Sequence, residues 1–119
     1  MVRADEADYP GFLRVILNAH VKEMTDLPGA DQQALMRVVF AAEAALREVM
    51  APAKVNLASL GNVVPHLHWH VIPRFTDDPH FPNPVWGAKL RDAPHAVPPG
   101  LDALLRDALS RLVPAPEKE

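Results

Sequence analysis

An alternating run of histidine and apolar residues constrains the fold of this chain more than any other feature. The run reads His66-Leu67-His68-Trp69-His70-Val71-Ile72. Successive side chains of a β-strand point to opposite faces, so histidines spaced two apart project from the same face. We therefore predict a strand over 66–71 with three of the six histidines on one face and Leu67, Trp69 and Val71 buried behind the other.

A second strand and a long helix are predicted before the histidine strand. The run Lys54-Val55-Asn56-Leu57-Ala58 also alternates polar with apolar residues, which predicts an antiparallel partner strand joined to the first by a glycine-containing loop. Its Asn56 should share the polar face with the histidines. Upstream, apolar residues recur at steps of three and four from about Asp31 to Met50, the pattern of an amphipathic helix that Pro52 ends.

The remaining segments complete an α+β prediction. The β-forming run 12–17 predicts a further strand. Prolines are frequent over 74–98, which predicts a long loop, and apolar residues at helical spacing predict a C-terminal helix over 99–113. We expect a single domain over residues 1–119, with an antiparallel β-sheet, one long helix packed on it and a C-terminal helix.

The composition argues against several classes of protein. The chain contains no cysteine, which excludes disulfides and thiolate metal sites. A net charge of -3 argues against a nucleic-acid binder, because such proteins need clustered Lys and Arg. No apolar run approaches the roughly 20 residues of a membrane span. We expect a cytoplasmic protein whose partner is a small molecule rather than a nucleic acid or a membrane.

Three histidines on one face are compatible with two kinds of chemistry. Neutral imidazole is a common ligand of zinc, copper and iron, and Asp77, Asp78 and His80 lie close enough in sequence to complete a metal site. Alternatively, one histidine attacks phosphorus while its neighbours orient it and neutralise phosphate oxygens. The spacing of the histidines alone does not choose between these two hypotheses.

The histidine run resembles the signature of the histidine triad (HIT) family, His-φ-His-φ-His-φ-φ with φ apolar, and all positions match. The order of predicted elements over about residues 9–75 is also similar to the family's. The resemblance implies a hydrolase or nucleotidyltransferase that acts on the α-phosphorus of a dinucleoside polyphosphate, a nucleoside phosphoramidate or a similar nucleotide, as a homodimer and without a metal or cofactor. A metal-binding protein and a nucleotide-binding module with little catalysis remain the alternatives.

The resemblance also implies a role for each histidine. His68, the middle one, would attack the α-phosphorus and form a nucleotidyl-phosphohistidine intermediate. A main-chain carbonyl, expected between Leu60 and Pro65, would hold its other nitrogen. His70 would contact the phosphate oxygens and the leaving group, and His66 would support the other two through hydrogen bonds.

The substrate-binding residues implied by the resemblance are Asn56, Gly61 and Asn62. A backbone N–H at Gly61 and the side-chain amide of Asn62 could donate to phosphate oxygens. Arg74, just after the predicted strand, could contact an anionic ligand or be a solvated charge.

Three features depart from the family pattern. Val63 stands where many relatives carry a hydroxyl residue that helps the leaving group, and Gly11-Phe12 stands where relatives place a fourth histidine. Only eight residues precede Tyr9, so we expect either that the true start lies upstream or that part of the N-terminal sheet, and with it part of the nucleoside pocket, is lacking.

Overall fold

The computed structural model of the protein describes residues 2–3 and 8–113. This part of the chain forms a four-stranded sheet, two α-helices and a short 3-10 helix at Met24–Asp26. In chain order the strands and α-helices are β1 (Val2–Arg3), β2 (Leu13–Ile16), α1 (Gly29–Met50), β3 (Lys54–Ala58), β4 (His68–Arg74) and α2 (Leu101–Leu112). Among these elements no helix has the length and hydropathy needed to cross a membrane.

The histidine strand β4 lies inside the sheet, between two neighbours. The strands are antiparallel in the order β1-β2-β4-β3. Val71 on β4 is aligned with Leu13 on β2 and with Leu57 on β3. Strand pairing therefore holds the backbone of His70 on both sides and that of His68 on the β2 side. The α+β prediction is confirmed, whereas the expected reduction of the N-terminal sheet stays a prediction.

One face of the sheet is covered by α1, against which α2 packs, and the main hydrophobic core lies on this side. Helix α1 contacts β2, β4 and α2. The side chains at the centre are completely or almost completely buried, and burying a large aliphatic side chain stabilises the fold by roughly 1.5–3 kcal/mol. The core residues include Leu13, Val15, Leu35, Val39, Leu46, Val55, Leu67, Val71, Leu101 and Leu105.

Helix α1 begins two residues before the predicted start and ends where predicted. Pro28 precedes it, and Asp31 lies in the first turn, where a carboxylate interacts favourably with the positive end of the helix dipole. At the other end Ala51 adopts a left-handed conformation (φ 46°, ψ 55°), and Pro52 cannot continue the helix.

The histidine strand is shifted by two to three residues from its predicted position. His66 lies before the strand, because the backbone of Leu67 bonds to the segment after β2 instead: its N–H donates to the carbonyl of Val21 and its carbonyl accepts from Leu17. At its other end the strand continues past the predicted end at Val71 as far as Arg74. Proline is tolerated at position 73 because the pairing with β2 ends at Val71, so its missing N–H breaks no bond on that side.

The second face of the sheet is covered by the proline-rich loop rather than by solvent. Residues 75–100 form this loop, and Val85 packs on a small cluster of Tyr9, Phe12 and Ile72. His70 lies on this face and is itself buried. The loop thus turns the histidine face of the sheet into the floor of a partly enclosed site. The C-terminal helix, predicted over 99–113, is observed as α2.

Candidate active site

His68 and His70 lie side by side on β4. Their ring centroids are 4.9 Å apart and the rings are nearly perpendicular, at 85°. Two residues apart on a strand, they project from the same face, as the alternation predicts. His68 is half-buried, and His70 is only 8% exposed. One imidazole is thus accessible beside a second that is largely shielded from water.

The hydrogen bond made by His68 determines which of its nitrogens carries a proton. Its Nδ1 lies 2.6 Å from the carbonyl oxygen of His66. A carbonyl can only accept, so Nδ1 is the donor, and the neutral ring keeps its lone pair on Nε2. The expected carbonyl between Leu60 and Pro65 is wrong: the acceptor is His66 itself, because the chain enters the strand there and places this carbonyl beside the ring.

His66 lies just before β4 and is bonded to the segment after β2. Its Nε2 lies 2.6 Å from the carbonyl oxygen of Leu17, and its Nδ1 lies 2.9 Å from Nδ1 of His20. Because the Leu17 carbonyl accepts from Nε2, the neutral His66 ring accepts at Nδ1 from His20. His66 therefore lies just outside β4, where its ring ties the start of the strand to the segment after β2, and it lines the same cleft as His68.

His70 is held in its neutral form by its surroundings. Burial lowers its pKa from 6.5 to about 4, with smaller contributions from the charges of His68 and Arg14. The rings of Phe12 and Trp86 contact it edge to face, at centroid distances of 5.4 and 5.3 Å. Its Nδ1 is buried and makes no hydrogen bond within the described residues. The neutral imidazole of His70, whose Nδ1 has no hydrogen-bond partner among the described residues, thus lies beside the more accessible ring of His68.

The lowered pKa of His70 makes folding stability depend on pH in a defined window. The unfolded chain binds a proton at His70 near pH 6.5, whereas the folded chain binds it only near pH 4. The stability that comes from burying the neutral form of His70 is therefore fully present above pH 6.5 and is lost as the pH falls to about 4. We expect a loss of about 2–3 kcal/mol in the free energy of unfolding.

Urea unfolding of the unchanged chain and of His70→Gln between pH 4 and 7 measures this effect. The difference in the free energy of unfolding between the unchanged chain and His70→Gln should change between pH 6.5 and pH 4. The control is His95→Gln, which replaces a histidine that bonds to Asp77 on the outside of the loop. This variant should retain the pH dependence due to His70. Parallel curves for the unchanged chain and His70→Gln would contradict the assignment.

Asn56 lies on the histidine face, as predicted. It is aligned with Ile72 of β4, and its Oδ1 accepts a hydrogen bond of 2.8 Å from Arg74. This bond leaves the Nδ2 group of Asn56 as the part of the amide that can donate to a ligand.

Arg74 is a buried, paired residue rather than a solvated charge. It is 2% exposed and forms a salt bridge of 2.9 Å with Asp78, which is 1% exposed. Four of its five N–H groups donate within the protein, to Asp78, Asn56 and the carbonyl of Asn83. Its main role is therefore to attach the loop to the end of β4, with little capacity left for an anionic ligand.

A cleft of about 260 Å³ opens beside His68. Gly61 lines it, whereas the exposed Asn62 does not. Lys22, Thr25 and Ser59 also line the cleft, and Ser59 donates to the carbonyl of His68. Sequence reasoning missed these three residues. Lys22 and Thr25 lie about 40 residues before the histidines in a segment without a motif, so no local pattern indicated them.

The residues proposed to complete a metal site are each engaged elsewhere. Asp77 bonds to His95, Asp78 to Arg74, and Nδ1 of His80 lies 2.6 Å from the hydroxyl of Tyr9. Across residues 2–3 and 8–113, no group of three or more His, Asp or Glu side chains is arranged to hold a metal ion.

Comparison with known proteins identifies the family. Residues 1–77 match the family model described as the HIT domain. The chain belongs to the histidine triad family. Among solved structures, this HIT chain is 34% identical to a histidine triad protein from Bradyrhizobium japonicum, with a TM-score of 0.71 over 90% of this chain and 78% of that one. A histidine triad protein from Marinobacter aquaeolei VT8 is 32% identical, with a TM-score of 0.71 over 88% and 77% of the two chains.

Curated relatives of this HIT chain include an enzyme. The chain is 30% identical over 87 residues to the AP-4-A phosphorylase of Mycobacterium tuberculosis. The match covers 68% of this chain and 45% of that protein, so the chain spans less than half the length of this relative. The resemblance of the His66–Ile72 run to the HIT signature is thus confirmed at the level of the family and its fold.

Proposed function

We propose that this HIT protein hydrolyses or transfers nucleotidyl groups, with His68 as the nucleophile toward the α-phosphorus. The observation that carries the proposal is the 2.6 Å hydrogen bond from Nδ1 of His68 to the carbonyl of His66. This bond places the free lone pair on Nε2 and holds the ring in one orientation, which is what an attacking imidazole requires. The AP-4-A phosphorylase relative supports a nucleotide as substrate.

The reaction would proceed through two displacements at phosphorus. In the first, the lone pair of His68 Nε2 forms a bond to the α-phosphorus, and the leaving group departs with the electron pair of the bond that breaks. The product is a nucleotidyl-phosphohistidine. In the second, water or another acceptor such as inorganic phosphate attacks the same phosphorus, the P–N bond breaks, and its electron pair returns to Nε2. When water is the acceptor, it forms the new P–O bond and releases a proton to the solvent. Each step is easier than a single direct displacement.

The surrounding groups are suited to binding the phosphate oxygens. A neutral His70 retains one N–H that can donate to an oxygen, and the Nδ2 of Asn56 and the backbone N–H of Gly61 provide further donors. Lys22 brings a positive charge to the cleft beside His68, where a polyphosphate leaving group would lie. Asn62 stays a candidate on the exposed rim of this loop. Val63, which is 93% exposed, offers no hydroxyl to the leaving group.

The test uses a dinucleoside tetraphosphate and a nucleoside phosphoramidate, each labelled at the α-phosphorus, without added metal and with or without inorganic phosphate. We expect release of a labelled mononucleotide, or of a nucleoside diphosphate when phosphate is the acceptor. Protein denatured in alkali during turnover should retain label that acid releases, as a P–N bond does. Binding of AMP without any turnover would instead indicate a nucleotide-binding module. Stoichiometric zinc or iron in the purified protein would indicate the metal-binding alternative.

We also infer a homodimer and a cytoplasmic location, as the family resemblance implies. Phe40 on α1 is 55% exposed, which leaves apolar surface on the long helix for a second copy. Light scattering of the purified protein would measure the mass of the particle, and a monomer at micromolar concentration would contradict the dimer.

A further inference from the structure

The segment between β2 and α1 carries a histidine that the steps proposed above do not use. His20 is exposed, yet its ring contacts that of His66, with the centroids 4.9 Å apart and an angle of 62° between the planes. The two Nδ1 atoms are 2.9 Å apart. His20 does not line the cleft beside His68. Its contact with the candidate active site is therefore through His66.

The segment that carries His20 is fixed against the start of β4. The N–H of Leu17 donates to the carbonyl of Leu67 at 3.2 Å, and the carbonyl of Val21 accepts from the N–H of Leu67 at 2.8 Å. The side chains of Leu17 and Val21 pack against the main hydrophobic core. His20 lies between these two anchored residues, so its position next to His66 is set by the fold.

The hydrogen bonds of His66 hold its ring in one position. Its Nε2 donates to the carbonyl of Leu17 at 2.6 Å, because a carbonyl can only accept. The neutral ring then has its lone pair on Nδ1, which accepts the N–H of His20. Because both nitrogens are engaged, the ring cannot turn or flip without losing a hydrogen bond. His20 is the donor that holds the second nitrogen.

The carbonyl of His66 that orients His68 lies in a peptide group fixed at both ends. The C=O of His66 and the N–H of Leu67 belong to the same planar peptide unit. The N–H donates to the carbonyl of Val21, and the C=O accepts from Nδ1 of His68 at 2.6 Å. The bond to Val21 thus holds the nitrogen end of this plane, and the ring held by His20 anchors the residue at its carbonyl end.

The orientation of this peptide plane determines where the nucleophilic lone pair points. The hydrogen bond at Nδ1 sets the rotation of the His68 ring and so the direction of Nε2. Reacting groups need to be held within about 0.5 Å and 10–20° of the productive geometry. A His66 ring that is free to turn would let the carbonyl move, and the His68 ring with it. Gly61 and Asn56, proposed to bind phosphate oxygens, lie on β3 and the loop after it, so substrate binding should depend little on His20.

We propose that His20 is a positioning residue of the candidate active site: its Nδ1–H fixes the ring of His66 and so keeps the carbonyl that orients His68 in place. For its effect on the rate, this inference rests on the proposed function. The hydrogen bonds themselves are made without a substrate, so their effect on His68 is measurable in the free protein. The position requires a hydrogen-bond donor and no positive charge.

Two substitutions of similar size separate the donor from the rest of the side chain. Asparagine has a nitrogen at the same branch as Nδ1 of histidine, whereas leucine has the same branched shape and no donor. We expect His20→Leu to lower the single-turnover rate with the nucleoside phosphoramidate about fivefold or more, with KM changed by less than about twofold. His20→Asn should react within about twofold of the unchanged chain, because its amide keeps the hydrogen bond. The control His95→Leu removes a histidine that bonds to Asp77 outside the site, and it should be fully active.

A nuclear magnetic resonance measurement reports the orientation of His68 without any reaction. Correlation spectra of ¹⁵N-labelled histidine side chains show which nitrogen of each ring carries the proton, at about pH 8, where an ordinary histidine is neutral. The unchanged chain should show His68 with its proton on Nδ1 alone. In His20→Leu the ring of His68 should become a mixture of the Nδ1–H and Nε2–H forms, and His20→Asn should keep the single form. Circular dichroism and the unfolding midpoint of each variant establish that it is folded.

The outcomes separate this inference from the proposed function. Turnover at equal rates by the unchanged chain and His20→Leu overturns the inference and leaves the reaction intact. Equal losses of rate in folded His20→Leu and His20→Asn also overturn it, because the donor would then not be what matters. If the unchanged chain shows no turnover, a mixture of His68 forms in His20→Leu and a single form in His20→Asn support the positioning contact and contradict only the reaction. An unaltered His68 in His20→Leu would then overturn both.

Discussion

The His68→Ala variant is expected to release mononucleotide at least about 100 times more slowly than the unchanged chain. Alanine has no lone pair to attack phosphorus, and His70 is neither as accessible nor oriented by a carbonyl. The variant should also retain no alkali-stable label after incubation with the labelled substrate. Single-turnover kinetics with the nucleoside phosphoramidate measures both quantities.

Two further histidine variants test whether the loss of turnover is specific to the ring of His68. His66→Ala keeps the main-chain carbonyl that accepts from His68 and loses only the ring bonded to Leu17 and His20, so its rate should fall by less than that of His68→Ala. His95→Gln lies outside the site and should be fully active. A folded His68→Ala variant with normal turnover would exclude His68 as the nucleophile.

The second large effect concerns stability. Asp78→Asn is expected to lower the free energy of unfolding by about 3–5 kcal/mol, the usual result of breaking a buried ion pair from one side. The carboxylate accepts from the guanidinium of Arg74 and from backbone N–H groups of the loop. The amide removes the negative charge and turns an N–H₂ group toward these donors, so the buried guanidinium loses its counterion.

The pH dependence of Asp78 gives the same experiment a second readout. Burial by itself would raise the pKa of Asp78, but hydrogen bonds from Arg74 and from the N–H groups of Phe75, Phe81 and His80 outweigh it and hold the pKa well below its usual range. The stability that Asp78 contributes is therefore present above the ordinary carboxyl pKa of about 3.9 and is lost as the pH falls toward the folded value. The difference between the unchanged chain and Asp78→Asn should shrink in acid.

The matched control is the neighbouring carboxylate. Asp77 is 65% exposed at its side chain and bonds only to a partly exposed His95, so Asp77→Asn should change the free energy of unfolding by less than about 1 kcal/mol. Chemical denaturation at pH 7 compares the three proteins. Equal stabilities of Asp77→Asn and Asp78→Asn would show that the buried pair does not hold the loop in place.

Local periodicity was sufficient to predict most of the strands and helices. The alternation of β3 and β4, the helical spacing of α1 and the proline that ends it are properties of neighbouring residues, and the structure contains all of them close to the predicted bounds. The family signature is local as well, since it occupies seven consecutive residues. Where the prediction failed, as at His66, the deciding hydrogen bonds join residues 46 and 49 positions apart.

The sequence by itself determined the fold class, the family and the pairing of His68 with His70 on one face, because these follow from the two-residue period of a strand and from a contiguous motif. Only the tertiary structure decided the surroundings of that pair. The burial that keeps His70 neutral and the position of Trp86 depend on contacts between distant parts of the chain. The carbonyl that orients His68 and the carboxylate that pairs with Arg74 are only two and four residues away in sequence, but the backbone conformation that brings them together follows no periodic pattern. Such contacts are set by packing and hydrogen bonding in three dimensions, and no spacing along the chain encodes them.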